Sequence, residues 1–301
     1  MIPLTADAAY NVQQLINAIS LGGLFALLTL GLAMVFNILG LINFAYGELV
    51  ALGGYWMYIT LNRGVPAIVV IPTTVLVVVI ASLLLERVAF RPFRGAGPVT
   101  LLITSFALSS MLQNGFLITV SPRAQGVTTA AWTNEVVSIG AFDVPVIRII
   151  TIAVTAVCLI ALLLFLRRSN MGLAMRGASE DFQAVRLMGI KANRVIATAF
   201  GISGALAGVS ALLVVAQTGV VEPAMGLPFL LAAFISAVLG GLGSLVGAVV
   251  GAFLLAGLQV GFQVALPEGL LAFRDAFTFG VVALVLLVRP QGLFGTLPEG
   301  S

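Results

Sequence analysis

The chain has 301 residues, of which 60% are hydrophobic and only 8% charged, against roughly a quarter charged in an average soluble domain. That composition marks an integral membrane protein with no polar block large enough for a water-soluble domain, so residues 1–301 read as one polytopic unit. The net charge of +3 implies no nucleic acid, because the basic residues fall in short loops, where they set topology.

A spanning helix needs about 20 mostly apolar residues, and such runs follow one another along the chain. The first covers about 11–39 and contains Gly22, Gly23 and Gly31, which predicts a long, bent helix. The second covers about 46–61, and the third about 65–88 with Pro66 and Pro72 near its start. The fourth, fifth and sixth cover about 99–120, 146–166 and 196–216. A Gly-rich apolar tract at 226–263 is broken by GGLGS at 240–244. It is too long for one ordinary span and reads as two spans, or as a re-entrant half-helix plus one span. Gly240, Gly241 and Gly243 are helix-break candidates beside a translocation path. The spacing of Gly243, Gly247 and Gly251 also suits close helix packing. A last span at about 275–289 stops at Pro290. The fold class is all-α and polytopic, with eight or nine transmembrane helices, at least one of them broken or re-entrant.

Orientation follows the Lys/Arg bias. Arg87, Arg91 and Arg94 cluster after the third span, and Arg167, Arg168, Arg176, Arg186, Lys191 and Arg194 cluster between the fifth and sixth. Both loops are expected in the cytoplasm, which puts the N-terminus outside. Segment 121–145, with Pro122, Trp132, Glu135, Asp143 and Pro145, is then external. The C-terminus is cytoplasmic with nine spans and external with eight; Arg289 favours the cytoplasm. Residues 1–10 lack the basic start and cleavage pattern of a signal peptide.

The stretch FNILGLINFAYGELVALGGY at 36–55 is apolar yet carries Asn37, Asn43, Tyr46 and Glu48. An acid at a helix centre costs about 2.5–3.5 kcal/mol on insertion scales. The topology puts a turn at 40–47, so Glu48 falls in the first turn of the second helix, where it complements the helix dipole. Asn43 is the N-cap candidate. Two readings stay open: a capped helix start at or below the cytoplasmic interface, or a broken-helix element whose polar residues face the pathway or its inner gate. Gln113 and Asn114, within SSMLQNGF, either bond a neighbouring helix or line the pathway. Glu86 and Arg87, within ERVAFRPFR, read as a snorkelling interfacial cluster or as a second partner contact. Glu222 reads as a solvated loop residue, and Arg274 with Asp275 as an interfacial pair.

Segment 167–196, RRSNMGLAMRGASEDFQAVRLMGIKANRVI, is the longest amphipathic stretch. Ser179 is an N-cap candidate, with Glu180 and Asp181 in the first helical turn. Ala184, Val185, Leu187 and Met188 supply an apolar face, and Gly189 can end the helix in a left-handed conformation. The segment either only fixes topology or is a short helix docking into a cytosolic partner's groove.

QAVRLMG at 183–189 resembles the E-A-A-x-x-x-G coupling motif of ATP-binding-cassette importer permeases, with Gln183 in place of Glu and Val185 in place of the second Ala. MGLAMRGASEDFQAVRLMGI, GLAMVFNILGLINFAYGELVALGGY, ERVAFRPFR and ISAVLGGLGSLVGAVVGA together resemble the branched-chain amino-acid (Liv-type) permeases, the smaller permease subunit in particular. The similarity runs from about residue 15 to 295. It implies half of a translocation pathway for branched-chain amino acids across the bacterial inner membrane. It also implies a second homologous permease subunit, two cytosolic ATPases that bind ATP and Mg, and a periplasmic solute-binding protein. Arg176, Glu180, Asp181, Gln183, Ala184, Val185 and Gly189 would form the ATPase-coupling loop; Gln183 removes the negative charge of the motif's first position. Urea and short-chain amide permeases share these strings.

The residues themselves agree with a transport subunit rather than an enzyme. There is no histidine, Cys158 is the only cysteine, and Lys191, the only lysine, is not in a P-loop. No metal or cofactor is expected in this chain. An ion-coupled secondary transporter would need intramembrane carboxylates, for which Glu48 is the one candidate.

Overall fold

The structure, a computed structural model, describes residues 4–40, 42–93, 96–127, 135–139 and 142–295. Arg94 and Trp132 lie outside the described residues, as do the side chains of Gln183 and Ala184. Each apolar run forms a helix: α1 Leu4–Leu39, α2 Tyr46–Asn62, α3 Ala67–Leu85, α4 Pro98–Thr119 and α5 Val146–Arg168. Then come the short α6 Asn170–Glu180 and α7 Phe182–Leu187, followed by α8 Ala192–Thr218, α9 Gly226–Gly240, α10 Leu245–Ala265 and α11 Arg274–Val288. Among the described residues, seven helical stretches are long and apolar enough to cross a membrane. The two shorter apolar helices are α2, with 17 residues, and α9, with 15. The chain is therefore an all-helical polytopic membrane protein. Prolines set two helix starts: Pro66 precedes α3 and Pro98 opens α4, where a missing N–H costs nothing.

The core forms around α1, which packs against α5, α8, α9 and α10. Ala26, Leu27, Leu28 and Thr29 are fully buried, so the middle of this helix is covered on every side, as its all-round apolarity requires. Its glycines do not break it, since the helix is continuous from Leu4 to Leu39. They admit neighbours instead. A Cβ at Gly22 would lie 2.5 Å from Phe253 of α10, and one at Gly31 would strike the Tyr46 hydroxyl of α2. The α3–α8 seam works the same way, with Gly204 against Ser82 and Gly208 against Val75. Ser82 Oγ also donates to the Phe200 carbonyl at 2.7 Å.

The tract 226–263 resolves into two helices and a tight turn. Gly241 (φ +107°) and Gly243 (φ +104°) take backbone conformations that side chains disfavour, which stops α9. Gly243 thus belongs to the turn and not to the packing stripe. The close approach is made by Gly240 on the Gly247 carbonyl and by Gly251 on the Ser236 carbonyl. Ser244 caps α10, accepting from Gly247 N at 3.0 Å. After α11 the chain returns to this turn, where Leu293 N and Phe294 N donate to the carbonyls of Leu239 (3.0 Å) and Gly240 (2.9 Å).

At the opposite end lie short strand pairs that the apolar pattern did not suggest. Gln125–Gly126 pairs with Val220–Val221, and Val136–Ile139 pairs with Phe142–Pro145, both antiparallel. A 3-10 turn at Glu268–Phe273 leads into α11, where Arg274 and Asp275 form an exposed ion pair at 2.9 Å. The cluster at the end of α3 departs from the snorkelling expectation. A π turn at Glu86–Phe90 carries Glu86 inward to 5% exposure, while Arg87 and Arg91 stay exposed. Phe90, fully buried, packs on Phe200 with ring centroids 5.3 Å apart and holds that turn against α8.

Candidate functional site

Gly40 (φ +69°) ends α1 and turns the chain back along the bundle rather than out of it. Asn43 then closes a local turn: its Oδ1 accepts from Ala45 N at 3.1 Å and its carbonyl from Tyr46 N at 3.1 Å. The N-cap position is Ala45, with no side-chain cap, so Asn43 shapes the approach to α2 without capping it. Tyr46 and Glu48 follow, 1% and 2% exposed.

The depth of this junction comes from α4, which runs beside it. Ser105 Oγ approaches the Ile42 carbonyl at 3.4 Å, and Phe44 meets Phe106 edge-on at 6.1 Å. Ser109 Oγ donates to Glu48 Oε1 at 3.1 Å, and Tyr55 stacks on Phe116 at 4.8 Å. Ser109 is the midpoint of Pro98–Thr119, about 16 Å from the start of α4 at 1.5 Å per residue. Glu48 therefore lies level with the middle of α4, inside the bundle. Glu48 is in the first turn of α2, as expected, and residues 43 and 45 before it are buried. Backbone contact between Gly47 and Gly226 fixes this arrangement, since neither position has room for a Cβ where α2 meets the start of α9. Neither glycine stood out in the sequence; the only signal was a glycine at the first turn of each apolar run.

Among the described residues this junction leaves several polar atoms buried without a partner: Glu48 Oε2, Asn43 Nδ2 and the hydroxyls of Tyr46 and Tyr55. Such groups are uncommon in folded interiors and call for an explanation. The structure brings together Asn43, Tyr46 and Glu48 but leaves out Asn37. Asn37 lies at the far end of α1, its Nδ2 3.4 Å from the Gly243 carbonyl in the α9–α10 turn. Gln113 is half-buried one turn beyond Ser109 on α4. Asn114 is exposed and donates to the Ser110 carbonyl of its own helix at 2.7 Å, so it bonds no neighbouring helix.

The amphipathic segment folds as two short helices rather than one. Ser169, not Ser179, is the capping residue: its Oγ accepts from Gly172 N at 2.8 Å and starts α6. Ser179 lies in the last turn of α6 and donates to the Arg176 carbonyl at 2.7 Å. Glu180 consequently ends α6 instead of opening a helix, and Asp181, in extended conformation, joins α6 to α7. Ala174, Met175 and Ala178 are buried, and Val185 of α7 is buried against Gly177. Gly189 (φ +79°) ends the unit in the left-handed conformation that the sequence implied. Just before it, Leu187 and Met188 stand 89% and 70% exposed. Arg176 lines a small cleft with Asn37, Met34 and Leu245, which places this segment at the Gly243 end of the bundle.

A buried carboxylate at the start of a helix inside the bundle, together with an amphipathic segment at one end, fits the membrane subunit of a transporter. The comparisons narrow that class. The chain belongs to the family described as branched-chain amino acid transport system, permease component, whose profile matches residues 14–288. It is 34% identical over 298 residues to the high-affinity branched-chain amino acid transport system permease protein BraD of Pseudomonas aeruginosa, covering 95% of this chain and 96% of BraD. It is equally 34% identical over 300 residues to the corresponding protein LivH of Escherichia coli, with the same coverage. LivM of Escherichia coli, a second permease of such a system, is 28% identical over 296 residues, covering 90% of this chain and 67% of LivM. No solved structure matches the chain.

Proposed function

We propose that this chain is one of two homologous permease subunits of an ATP-driven importer and forms half of a pathway for branched-chain amino acids across the inner membrane. The observation that carries the reading is the family match over residues 14–288, with relatives aligned nearly end to end. The likeness to both LivH and LivM supports a paired, homologous second permease. Two cytosolic ATPases supply the hydrolysis and bind ATP and Mg, while a periplasmic binding protein delivers the solute. The basic end is cytoplasmic. Counting α2 and α9 with the seven longer helices gives nine passes, with the C-terminal segment on the cytoplasmic side. This agrees with its return to the α9–α10 turn.

Segment α6–α7 is the coupling element. Its buried face holds it to the permease, and Leu187 and Met188 project for the ATPase groove. Asn43, Tyr46 and Glu48 line the pathway between α2 and α4. The test is co-expression with the neighbouring subunits. The ATPases should copurify with the unaltered chain, and Leu187→Asp with Met188→Asp should abolish copurification while membrane insertion and pairing with the second permease persist. ATP-dependent leucine uptake by the reconstituted complex should require the binding protein; uptake by this chain alone without ATP would overturn the reading.

A further inference from the structure

From the unpaired, deeply buried carboxylate between α2 and α4 we infer that Glu48 is a recognition point for the ammonium group of the amino acid in transit. This rests on the proposed transport of amino acids and assigns a task to one side chain within it. Glu48 is 2% exposed, and its only hydrogen bond is the neutral one from Ser109 to Oε1. Oε2 has no partner. The exposed ion pair of Arg274 with Asp275 is far from this junction in sequence. A carboxylate removed from water needs a cation or several donors, and here the protein supplies one hydroxyl and the start of a helix.

A second observation points to the same place. Of the seven long helices, α4 has the lowest mean hydropathy, 1.5 against 2.0 to 3.0, yet it is among the least buried. Ser105, Ser109 and Gln113 recur along it at helical spacing, and the first two bond the 42–48 junction. Ser109 is only half-buried, so the Glu48 carboxylate lies one side chain beneath the open face of α4. A zwitterion moving along these side chains meets Glu48 level with the middle of α4. A primary ammonium carries three N–H donors and a full charge, which Oε2 lacks in the empty state. The transient pair stabilises the charged head where the bilayer is least hospitable, and the missing permanent cation lets the solute leave again.

The experiment uses the full complex of both permeases, the ATPases and the binding protein in liposomes, reading leucine uptake and ATP hydrolysis together. Glu48→Gln keeps the size and one acceptor but loses the charge. It should cut leucine transported per ATP by roughly tenfold or more, the scale of a hydrogen bond to a charged group. Glu48→Asp, which retains charge at shorter reach, should fall between the two. If Glu48→Gln does not assemble, Glu48→Asp decides: reduced uptake per ATP supports the inference, and unchanged uptake overturns it. Normal uptake by an assembled Glu48→Gln complex overturns it outright. Absence of leucine uptake by the unaltered complex overturns the amino-acid reading itself, a result distinct from any variant's.

Discussion

Tyr46 illustrates how single side chains fix the junction. Its ring fills the notch at Gly31, and its hydroxyl is the atom that a Cβ there would meet first. Gly31→Ala should therefore destabilise the assembled permease by about 1–3 kcal/mol, the usual cost of overpacking. Tyr46→Phe, which removes an unpartnered hydroxyl, should be near neutral alone and should recover part of that loss. Thermal unfolding of the purified complex checks both, and a double variant no better than Gly31→Ala would sink the account. At this scale the sequence was half legible. Glu48, Asn43 and Tyr46 stood out because polar groups are rare in apolar runs. Their depth was hidden, because it depends on the path of residues 42–45 and on Ser109, which is distant in sequence. Ser179 misled for a simpler reason: Ser169 offers the same capping chemistry one helix earlier, and local pattern does not choose between them.

Among the helices, membrane packing rewards close backbone approach more than apolar area, and the α9–α10 hairpin is the clearest instance. Gly240 touches the Gly247 carbonyl so closely that any side chain must push the helices apart. Gly240→Leu should prevent accumulation of the subunit in the membrane, whereas Gly257→Leu, with open space around it, should be tolerated. Membrane-fraction immunoblots distinguish the two. In the α6–α7 segment, Ser169→Ala should cost about 1 kcal/mol of α6 stability, read as a several-fold faster amide exchange confined to residues 170–180. The helices were predicted well because hydrophobic run length is dictated by bilayer thickness. The strand pairs were not, since each has only two to four residues per strand and pairs through backbone groups. The division of segment 167–196 into α6 and α7 was also illegible, because it turns on the extended conformation of Asp181.

Over the whole molecule, both loops rich in Arg belong to one end, and the C-terminal segment docks there too. In a Cys158→Ala background, a single cysteine at Asn193 should react with membrane-impermeant thiol reagents only from the cytoplasmic side. One at Glu268 should react only from outside. The opposite pattern at either site would overturn the nine-pass topology. The central position of α1 also bears on how the protein is made. This helix is the first to leave the ribosome, yet three of the four helices that enclose it, α8, α9 and α10, come from the second half of the chain. Membrane helices insert one by one and associate afterwards. During synthesis α1 must therefore wait in lipid, its notch at Gly22 unfilled, until Phe253 in the last third of the chain arrives. A nascent chain stalled before residue 226 would present that notch to the quality-control proteases of the membrane, so the first helix made is among the last to be fully covered.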